Sequence, residues 1–241
     1  MGVKAHNGRL LVDEFDFSLD TFSAGLANTA EALESSNWQS AAMQYQPDAA
    51  SGQLTMSGYY TGNDAGDIYQ EIYSRLGTEA AAYVAWLLNT AALGNPAYVV
   101  DTAWGSNVAV DTPVNDLLKF NGQFEGVVYG GVTLLDGVVS ATGNGTVVTL
   151  PATGSAGGRA YLFVRGITGT AVDAIVSVEC DTVVGMTTPT DKGSITFSDI
   201  GVYTLTISGT VETYVRVTID DLGGATNITA ALVLCVADVT M

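Results

Sequence analysis

The clearest pattern in the chain is an alternation of apolar and polar residues that begins at Gln53. Apolar or small residues and polar residues occupy alternate positions: Leu54, Met56, Gly58 and Tyr60 against Gln53, Thr55, Ser57 and Tyr59. A period of two predicts a β-strand with one buried and one hydrated face. Residues 38–46 are predicted to be the other arm of a hairpin, because turn-forming residues stand between the arms: Pro47, Asp48, Ser51 and Gly52.

The period then changes from two to nearly four. Ile68, Ile72 and Leu76 are spaced four apart, and Tyr69 and Tyr73 repeat the same spacing. This predicts a short amphipathic helix of about three turns. Asp64 or Asp67 is expected to cap its amino end, and Gly77 is expected to end it.

A second alternating stretch covers residues 116–135. Its polar positions are Lys119, Asn121, Gln123 and Glu125, and they alternate with Leu118, Phe120, Gly122, Phe124 and Gly126. This is again the pattern of a strand with one wet face. Shorter strands are predicted at 15–19, 98–100 and 108–110, whereas residues 23–37 fit either a loop or a weak helix.

Beyond residue 139 the chain consists of short strand-like runs separated by Gly, Thr, Asp and Ser. Seven strands are predicted, at 146–150, 160–166, 174–178, 193–197, 202–207, 213–219 and 229–236. Their spacing is typical of a β-sandwich. The predicted fold is therefore mainly β, with one short helix and two domains, residues 1–138 and 139–241.

Charge limits the partners that such a chain can bind. It carries 8 basic and 25 acidic residues, a net charge of −17, so it lacks a basic surface for gripping a phosphate backbone. Acidity can serve solubility, or it can let DNA pass without sticking because phosphates are repelled. Composition leaves both interpretations open. No apolar run approaches the roughly 18 residues of a membrane span.

Candidate chemistry is sparse. The single histidine is His6, near the start of the chain, and the motifs of hydrolases, phosphate loops and Cys-x-x-Cys redox sites are missing. We therefore expect no enzyme activity, no cofactor and no metal site, since Asp220–Asp221 and the group Asn63, Asp64 and Asp67 are more typical of turns and caps. Cys180 and Cys235 are expected to be reduced and buried, although a disulfide is possible if they are neighbours.

The order of these segments resembles the tail tube (major tail) proteins of long-tailed bacteriophages. The resemblance is carried by a Glu-rich entry at 31–37, Leu-Thr-Met-Ser-Gly-Tyr-Tyr at 54–60, Gly-Asn-Asp-Ala-Gly-Asp at 62–67, Ile-Tyr-Gln-Glu-Ile-Tyr at 68–73, and the runs 95–100 and 113–120. It covers roughly the first 130 residues. It implies that the ambiguous, alanine-rich residues 79–89 form a strand, and that the carboxy-terminal sandwich is a decoration domain.

The same resemblance implies a function. Long ribbons from neighbouring subunits would close a hexameric ring, and stacked rings would form the channel for DNA ejection in the virion tail, after assembly in the host cytoplasm. The lumen-facing candidates are Gln44, Gln46, Gln53, Thr55, Ser57, Lys119, Asn121, Gln123 and Glu125. Candidates for inter-ring contacts are the predicted loop residues Pro47, Asp48, Ser51 and Gly52. Expected partners are further copies, the initiator or baseplate, tape measure and terminator proteins, and DNA in transit.

An alternative function belongs to another class of protein. A capsid or surface decoration protein could use the sandwich to bind glycans, which requires exposed aromatic side chains in a groove. The candidates for such a platform are Tyr161, Phe163 and Tyr214, although the pattern also allows them to be core residues. The three tryptophans, Trp38, Trp86 and Trp104, are predicted to lie in the core rather than to form a stacking surface.

Overall fold

A computed structural model describes residues 8–34, 45–62, 64, 66–77, 82–88, 93–111 and 117–237, without side-chain detail for 28–34 and 45–51. Within these ranges the protein is mostly β, with one short helix and antiparallel sheets. The predicted fold class is thus confirmed.

The strands and the helix follow one another in this order. The first half contains β1 (Arg9–Val12), β2 (Phe15–Asp16), β3 (Thr21–Glu34), β4 (Tyr45–Tyr59), α1 (Ile68–Ser74), β5 (Ala82–Leu87), β6 (Pro96–Asp111) and β7 (Lys119–Val139). The second half contains β8 (Gly143–Asn144), β9 (Val148–Thr149), β10 (Gly158–Gly169), β11 (Ala174–Asp181), β12 (Thr190–Phe197), β13 (Gly201–Ile207), β14 (Tyr214–Asp221) and β15 (Ala225–Val236).

The chain forms two compact units. Unit 1 consists of Met1–Ser18, Tyr83–Val99 and Tyr129–Met241, and unit 2 of Leu19–Ala82 and Val100–Val128. The long strands β6 and β7 contribute residues to both units. The division into domains at residue 138 remains a prediction.

Unit 2 is built on a sheet in which β4 lies between β3 and β7, and β7 also pairs with β6. The hairpin partner of β4 differs from the predicted one. Residues 47–52 belong to β4 and pair with β3, so the turn expected there is wrong. Residues 35–44, which include most of the predicted arm, lie outside the described residues.

The apolar face of this sheet carries the core of unit 2. Leu54, Met56, Phe120 and Phe124 are at most 2% exposed, as the alternation predicts. Helix α1 packs there through Ile72, and a Cβ added at Gly122 would come within 2.4 Å of the Ile72 Cδ1 atom. Glycine at this position therefore allows the close approach of helix and strand.

Several boundaries in this region differ from the predictions. Helix α1 is shorter than three turns and begins after Asp67, which stands at the N-cap without a capping side-chain hydrogen bond. Helix α1 ends at Ser74 with Arg75 at the C-cap, so the prediction that Gly77 ends it is wrong; Gly77 has a φ of +65° but lies beyond the helix and donates its N–H group to Gly105 of β6. The strand predicted over 15–19 ends at Asp16, and Leu19 is 96% exposed, not buried.

Unit 1 contains the sandwich. One sheet holds β13, β10, β15 and the end of β7 in that order, and the other holds β12, β11 and β14, with β8 and β9 paired to β14. Each of the seven predicted strands overlaps one strand of the structure, from β9 to β15 in order. Their inward side chains, such as Leu162, Val176, Val217 and Leu232, form one shared core.

A second core in unit 1 was not predicted. The opposite faces of β10 and β15 are also buried, and there Tyr161 and Phe163 pack with Leu11 of β1 and Leu87 of β5. Both aromatic side chains are 0% exposed. They therefore cannot form the glycan platform considered from the sequence, because a platform has to reach solvent.

The cysteines face different cores. Cys180 lies in the core between the two sheets, and Cys235 lies in the second core. Both are free and buried, in agreement with the expectation of reduced thiols, and no disulfide joins them.

Candidate channel face and strand edges

The two predicted polar stripes lie side by side in one sheet of unit 2. Strands β4 and β7 pair in a register that places each polar residue opposite another: Gln53 and Glu125, Thr55 and Gln123, Ser57 and Asn121, Tyr59 and Lys119. Because side chains of directly opposed residues point to the same face, the stripes form one continuous surface. We call these eight residues the polar face.

Hydrogen bonds within the polar face hold its side chains in place. The Ser57 Oγ atom donates to the Asn121 Oδ1 atom at 2.6 Å. The Glu125 Oε1 atom accepts from Gln123 Nε2 at 2.9 Å and from Gln53 Nε2 at 3.3 Å. Thr55 Oγ1 donates to the carbonyl oxygen of Gly25 in β3, 3.2 Å away. The amide and hydroxyl groups are thus partly engaged with one another.

Charge on the polar face is balanced. Its charged groups are one carboxylate, Glu125, and one ammonium group, Lys119, and six residues of extended strand separate them by about 20 Å. Between them the face carries only neutral amides and hydroxyls. The acidic lumen expected from net charge is therefore not a property of these residues. Gln44 lies outside the described residues, and the Gln46 side chain is not described.

Trp104 in β6 belongs to the same side of the sheet, contrary to the prediction that it lies in the core. Its neighbours Ala103 and Gly105 are buried, and a Cβ at Gly105 would meet the Ile72 carbonyl oxygen of α1 at 2.9 Å. Since side chains alternate along a strand, Trp104 points away from the helix, and it is 41% exposed. The sequence does contain a signal for the exposure of Trp104. Its neighbours Ala103 and Gly105 are small, as the face of a strand that packs closely against a helix requires, and the large side chain between them lies on the other face.

Among the described residues, this sheet has an open edge along β3 and a second open edge on β6 beyond Gly105. Strand β3 pairs with β4 and with no other described strand. On β6, Gly105 accepts from the Gly77 N–H group and donates to Arg75, both at 3.1 Å, so its backbone groups point away from β7. By alternation, those of Asn107 and Ala109 point the same way.

No described strand covers that part of the β6 edge. The six-residue β5 pairs with β6 from its Pro96 end, where the Leu88 N–H group donates to the Pro96 carbonyl oxygen at 3.1 Å. It is too short to reach residues 106–111. An uncovered edge of this kind is a template for another strand.

The predicted inter-ring residues lie along β4 rather than in a loop. Pro47 is opposite Ala32, next to a register shift between Ala30 and Ala32. Such an irregularity accommodates a proline, which has no N–H group for the ladder. Gly52 pairs with both Asn28 and Gly126 and lies within the sheet. Their proposed role in inter-ring contacts remains a prediction.

Unit 1 contains a closed network of two arginines and two aspartates. Arg9 contacts Asp16 and Asp136, and Arg165 contacts Asp16 at 2.8 Å and Asp136 at 2.9 Å. The Asp136 side chain is 1% exposed. Burial raises the pKa of Asp136, against the attraction of both arginines, and burial likewise lowers the pKa of Arg165. The network joins the β1–β2 hairpin to β7 and β10.

The described residues contain no group of three or more His, Cys, Asp or Glu side chains placed to hold a metal ion. The aspartates considered from the sequence organise turns: Asp67 Oδ2 accepts from the Asp64 amide at 3.0 Å, and Asp221 Oδ1 accepts from the Gly223 amide at 2.8 Å. In the same part of the chain, no helix combines the length and apolarity that crossing a membrane demands.

No family model and no curated protein matches this chain. Among solved structures, it is similar to a chain in the virion of a native gene transfer agent particle, with 9% identity and a TM-score of 0.37 over 52% of this chain and 95% of the other. It is also similar to a chain in the sheath/tube terminator of the extracellular contractile injection system PVC, with 13% identity and a TM-score of 0.42 over 54% and 96%.

A third similar structure covers more of the chain. The Dit protein of phage SPP1, described as a paradigm of the hub adsorption apparatus in phages that infect Gram-positive hosts, matches 95% of this chain and 98% of its own. The identity is 11% and the TM-score 0.36. These neighbours are components of phage, gene transfer agent and injection particles.

Proposed function

We propose that this chain is a structural subunit of a phage tail tube, which closes into rings, most simply hexameric, that stack into a channel for DNA. The observation that carries the proposal is the sheet of unit 2, which has one hydrated face and one face covered by α1. Among the described residues it also has an open edge along β3 and another over residues 106–111 of β6. A sheet of this kind leaves its edges exposed unless other strands pair with them.

Strand pairing between neighbouring copies would supply hydrogen-bond partners to both open edges at once. The β3 edge of one copy would pair with residues 106–111 of the next, which is a head-to-tail contact that forms a ring when the rotation closes. With four strands from each copy, four or more copies reach the roughly 16 strands at which a β-barrel encloses an aqueous channel. The polar face then lines the channel, and α1 lies outside it.

The chemistry of the polar face suits passage of DNA rather than binding. Neutral amides and hydroxyls offer no fixed cation to a phosphate, apart from Lys119. The arginines are engaged within the chain: Arg75 with Glu71 at 2.6 Å, Arg216 with Glu179 at 2.7 Å, Arg9 and Arg165 in the unit 1 network, and Arg159 over the Tyr129 ring. Few cations are thus left to hold DNA by counterion release.

In this proposal the location is the virion tail, and the partners are further copies together with the initiator or baseplate, tape measure and terminator proteins. Assembly would take place in the host cytoplasm. The sandwich of unit 1 would decorate the tube. The function is structural and needs no catalytic residue or cofactor.

The test is electron microscopy and analytical ultracentrifugation of the purified chain at rising concentration. We expect rings or tubes with an open channel. An Ala109→Pro variant removes an N–H group that points to the open edge and leaves the β6–β7 ladder intact. It should remain folded and monomeric, whereas the matched Ala109→Ser variant should still form rings.

Two results would overturn the proposal. One is an unaltered chain that stays monomeric at every concentration and also in the presence of preformed tail initiator complexes. The other is normal ring formation by the Ala109→Pro variant, because closure through this edge could not then be how rings form.

A further inference from the structure

One end of the unit 2 sheet carries a patch of exposed apolar side chains. Three strands meet there: β3 begins at Thr21, β4 ends at Tyr59 and β7 begins at Lys119. The patch consists of Leu19, Phe22, Tyr59, Leu117 and Leu118, which are 96%, 54%, 42%, 62% and 43% exposed, respectively. We call these five residues the apolar strand end.

Contacts across the three strands make these residues neighbours. The Tyr59 N–H group donates to the Asp20 carbonyl oxygen at 2.8 Å, and the Tyr60 N–H group donates to the Leu118 carbonyl oxygen at 3.0 Å. The Phe22 and Tyr59 rings pack with their centroids 5.3 Å apart. The exposed side chains therefore lie at the same end of three neighbouring strands, and a concentration of exposed apolar side chains of this kind marks an interaction site.

We propose that the apolar strand end is the surface on which a second copy of this chain sits when one ring stacks on another. This inference rests on the proposed tail tube function. In that assembly the lateral edges pair within a ring, one face lines the channel and α1 covers the other face. The ends of the strands are the part of the sheet that remains for contacts along the tube axis.

Charge supports a second copy as the occupant. Each copy carries a net charge of −17, so two copies repel each other at long range. Contact between them is least unfavourable where few like charges come together. Among the described residues, the charged neighbours of the apolar strand end along the chain are Asp20 and Lys119, one of each sign, whereas Asp116, which precedes Leu117, lies outside the described residues. The described residues of this region thus combine apolar area with one charge of each sign on a strongly acidic chain, and burial there removes water from leucine and aromatic side chains.

The test uses the full chain with the double substitution Leu19→Ser and Leu117→Ser. Both side chains are mostly exposed, so their replacement costs little folding stability. The matched control is Val172→Ser with Val184→Ser, since both valines are 60% exposed but lie in unit 1. Circular dichroism and thermal unfolding establish that each variant is folded, and a Leu19→Lys variant serves as a second disruption of the same surface.

Ultracentrifugation separates single rings from tubes, and electron microscopy gives the lengths of the tubes. We expect the double variant to form rings but to need at least about a tenfold higher concentration to form tubes, whereas the control behaves like the unaltered chain. Ammonium sulfate should lower that concentration, because it strengthens apolar burial.

The outcomes distinguish this inference from the proposed function. Normal tubes from both patch variants would overturn the stacking surface and leave the tube function standing. Loss of the rings themselves would also overturn it, because the patch would then act within a ring. An unaltered chain that forms neither rings nor tubes would overturn both proposals.

Discussion

The Ser57 Oγ atom donates a hydrogen bond of 2.6 Å to the Asn121 Oδ1 atom, although 64 residues separate the two in the chain. This contact joins the two polar stripes at the middle of the shared face. Each stripe on its own is an ordinary wet strand face. Paired in register, they form a surface of several neutral polar groups with one charge near each end.

The neutral character of this face can be reversed by substitution. In the Asn121→Lys and Gln123→Lys double variant, each copy adds two cations to the polar face. Assembled tubes should then retain double-stranded DNA, with an affinity that falls linearly on a logarithmic plot against salt concentration. Filter binding of tubes with labelled DNA measures this.

The control for this prediction keeps the face neutral, with Asn121→Gln and Gln123→Asn. DNA retention by the control variant equal to that of the lysine variant would contradict the idea that this face meets DNA. Binding without salt dependence would contradict the electrostatic mechanism.

The close packing of unit 2 requires glycine at position 58. A Cβ there would lie 2.1 Å from the Asp20 carbonyl oxygen and 2.4 Å from the Phe120 Cε1 atom. Relieving these contacts requires a shift of the backbone or of a buried ring, and either shift costs folding free energy. We expect Gly58→Ala to lower the free energy of unfolding by about 1–3 kcal/mol, measured by urea denaturation. At Gly166 the nearest atoms are 3.8 Å away, so Gly166→Ala should lower the free energy of unfolding much less. Equal decreases in the two variants would contradict the steric explanation.

The unit 1 network should respond differently to single and double substitutions. Arg165→Leu leaves Asp136, which is 1% exposed, with Arg9 as its remaining cation in the network, and the loss of one hydrogen bond to a buried charged group should cost about 1.5–3 kcal/mol at pH 7. Asp136→Leu with Arg165→Leu removes both buried charges and should recover most of the loss. Urea denaturation of the unaltered chain, the single variant and the double variant compares their free energies of unfolding. A double variant no more stable than the single one would show that the ion pair stabilises the fold beyond neutralising a buried charge.

The stability lost in the Arg165→Leu variant should depend on pH. Burial raises the pKa of Asp136 above its ordinary value of 3.8, so the folded chain holds this proton more tightly than the unfolded chain does. Stability from such a group is present below the unfolded pKa and is lost as the pH rises through the folded pKa. The cost of Arg165→Leu should therefore be smaller near pH 4 than at pH 7; the opposite slope would contradict the assignment.

Asp181 predicts the reverse pH dependence. Its Oδ2 atom accepts from the Thr188 amide at 3.0 Å and its Oδ1 atom from the Val183 amide at 3.1 Å, and these bonds, the first above all, lower its pKa. The stabilisation is present above the unfolded pKa and is lost as the pH falls through the folded value. Asp181→Asn provides one acceptor oxygen in place of two.

We therefore expect the difference in stability between the unaltered chain and Asp181→Asn to be largest near neutral pH and to shrink below pH 4. Thermal unfolding at several pH values measures it. The control is Asp199→Asn, an exposed aspartate whose substitution should change little at any pH. A difference that persists at low pH would mean that the hydrogen bonds do not depend on the ionised carboxylate.

The sequence by itself determined which faces of β4 and β7 are buried in unit 2. Alternation of period two is a local property, so it placed Leu54 and Phe120 in the core and Thr55 and Asn121 on the hydrated face before any pairing was known. Seven of the strands of the sandwich, β9 to β15, followed from the same signal, together with glycine-rich turns.

Only the tertiary structure decided which strands are neighbours. The partner of β4 is β3, whose small residues carry no clear period, and Pro47 lies within a strand because a register shift accommodates it. Burial of Tyr161 and Phe163, exposure of Trp104, and the opposition of Ser57 to Asn121 likewise depend on chain segments far away in sequence. Local periodicity predicts that one face of a strand is hydrated, whereas pairing between distant strands determines which other side chains lie beside that face.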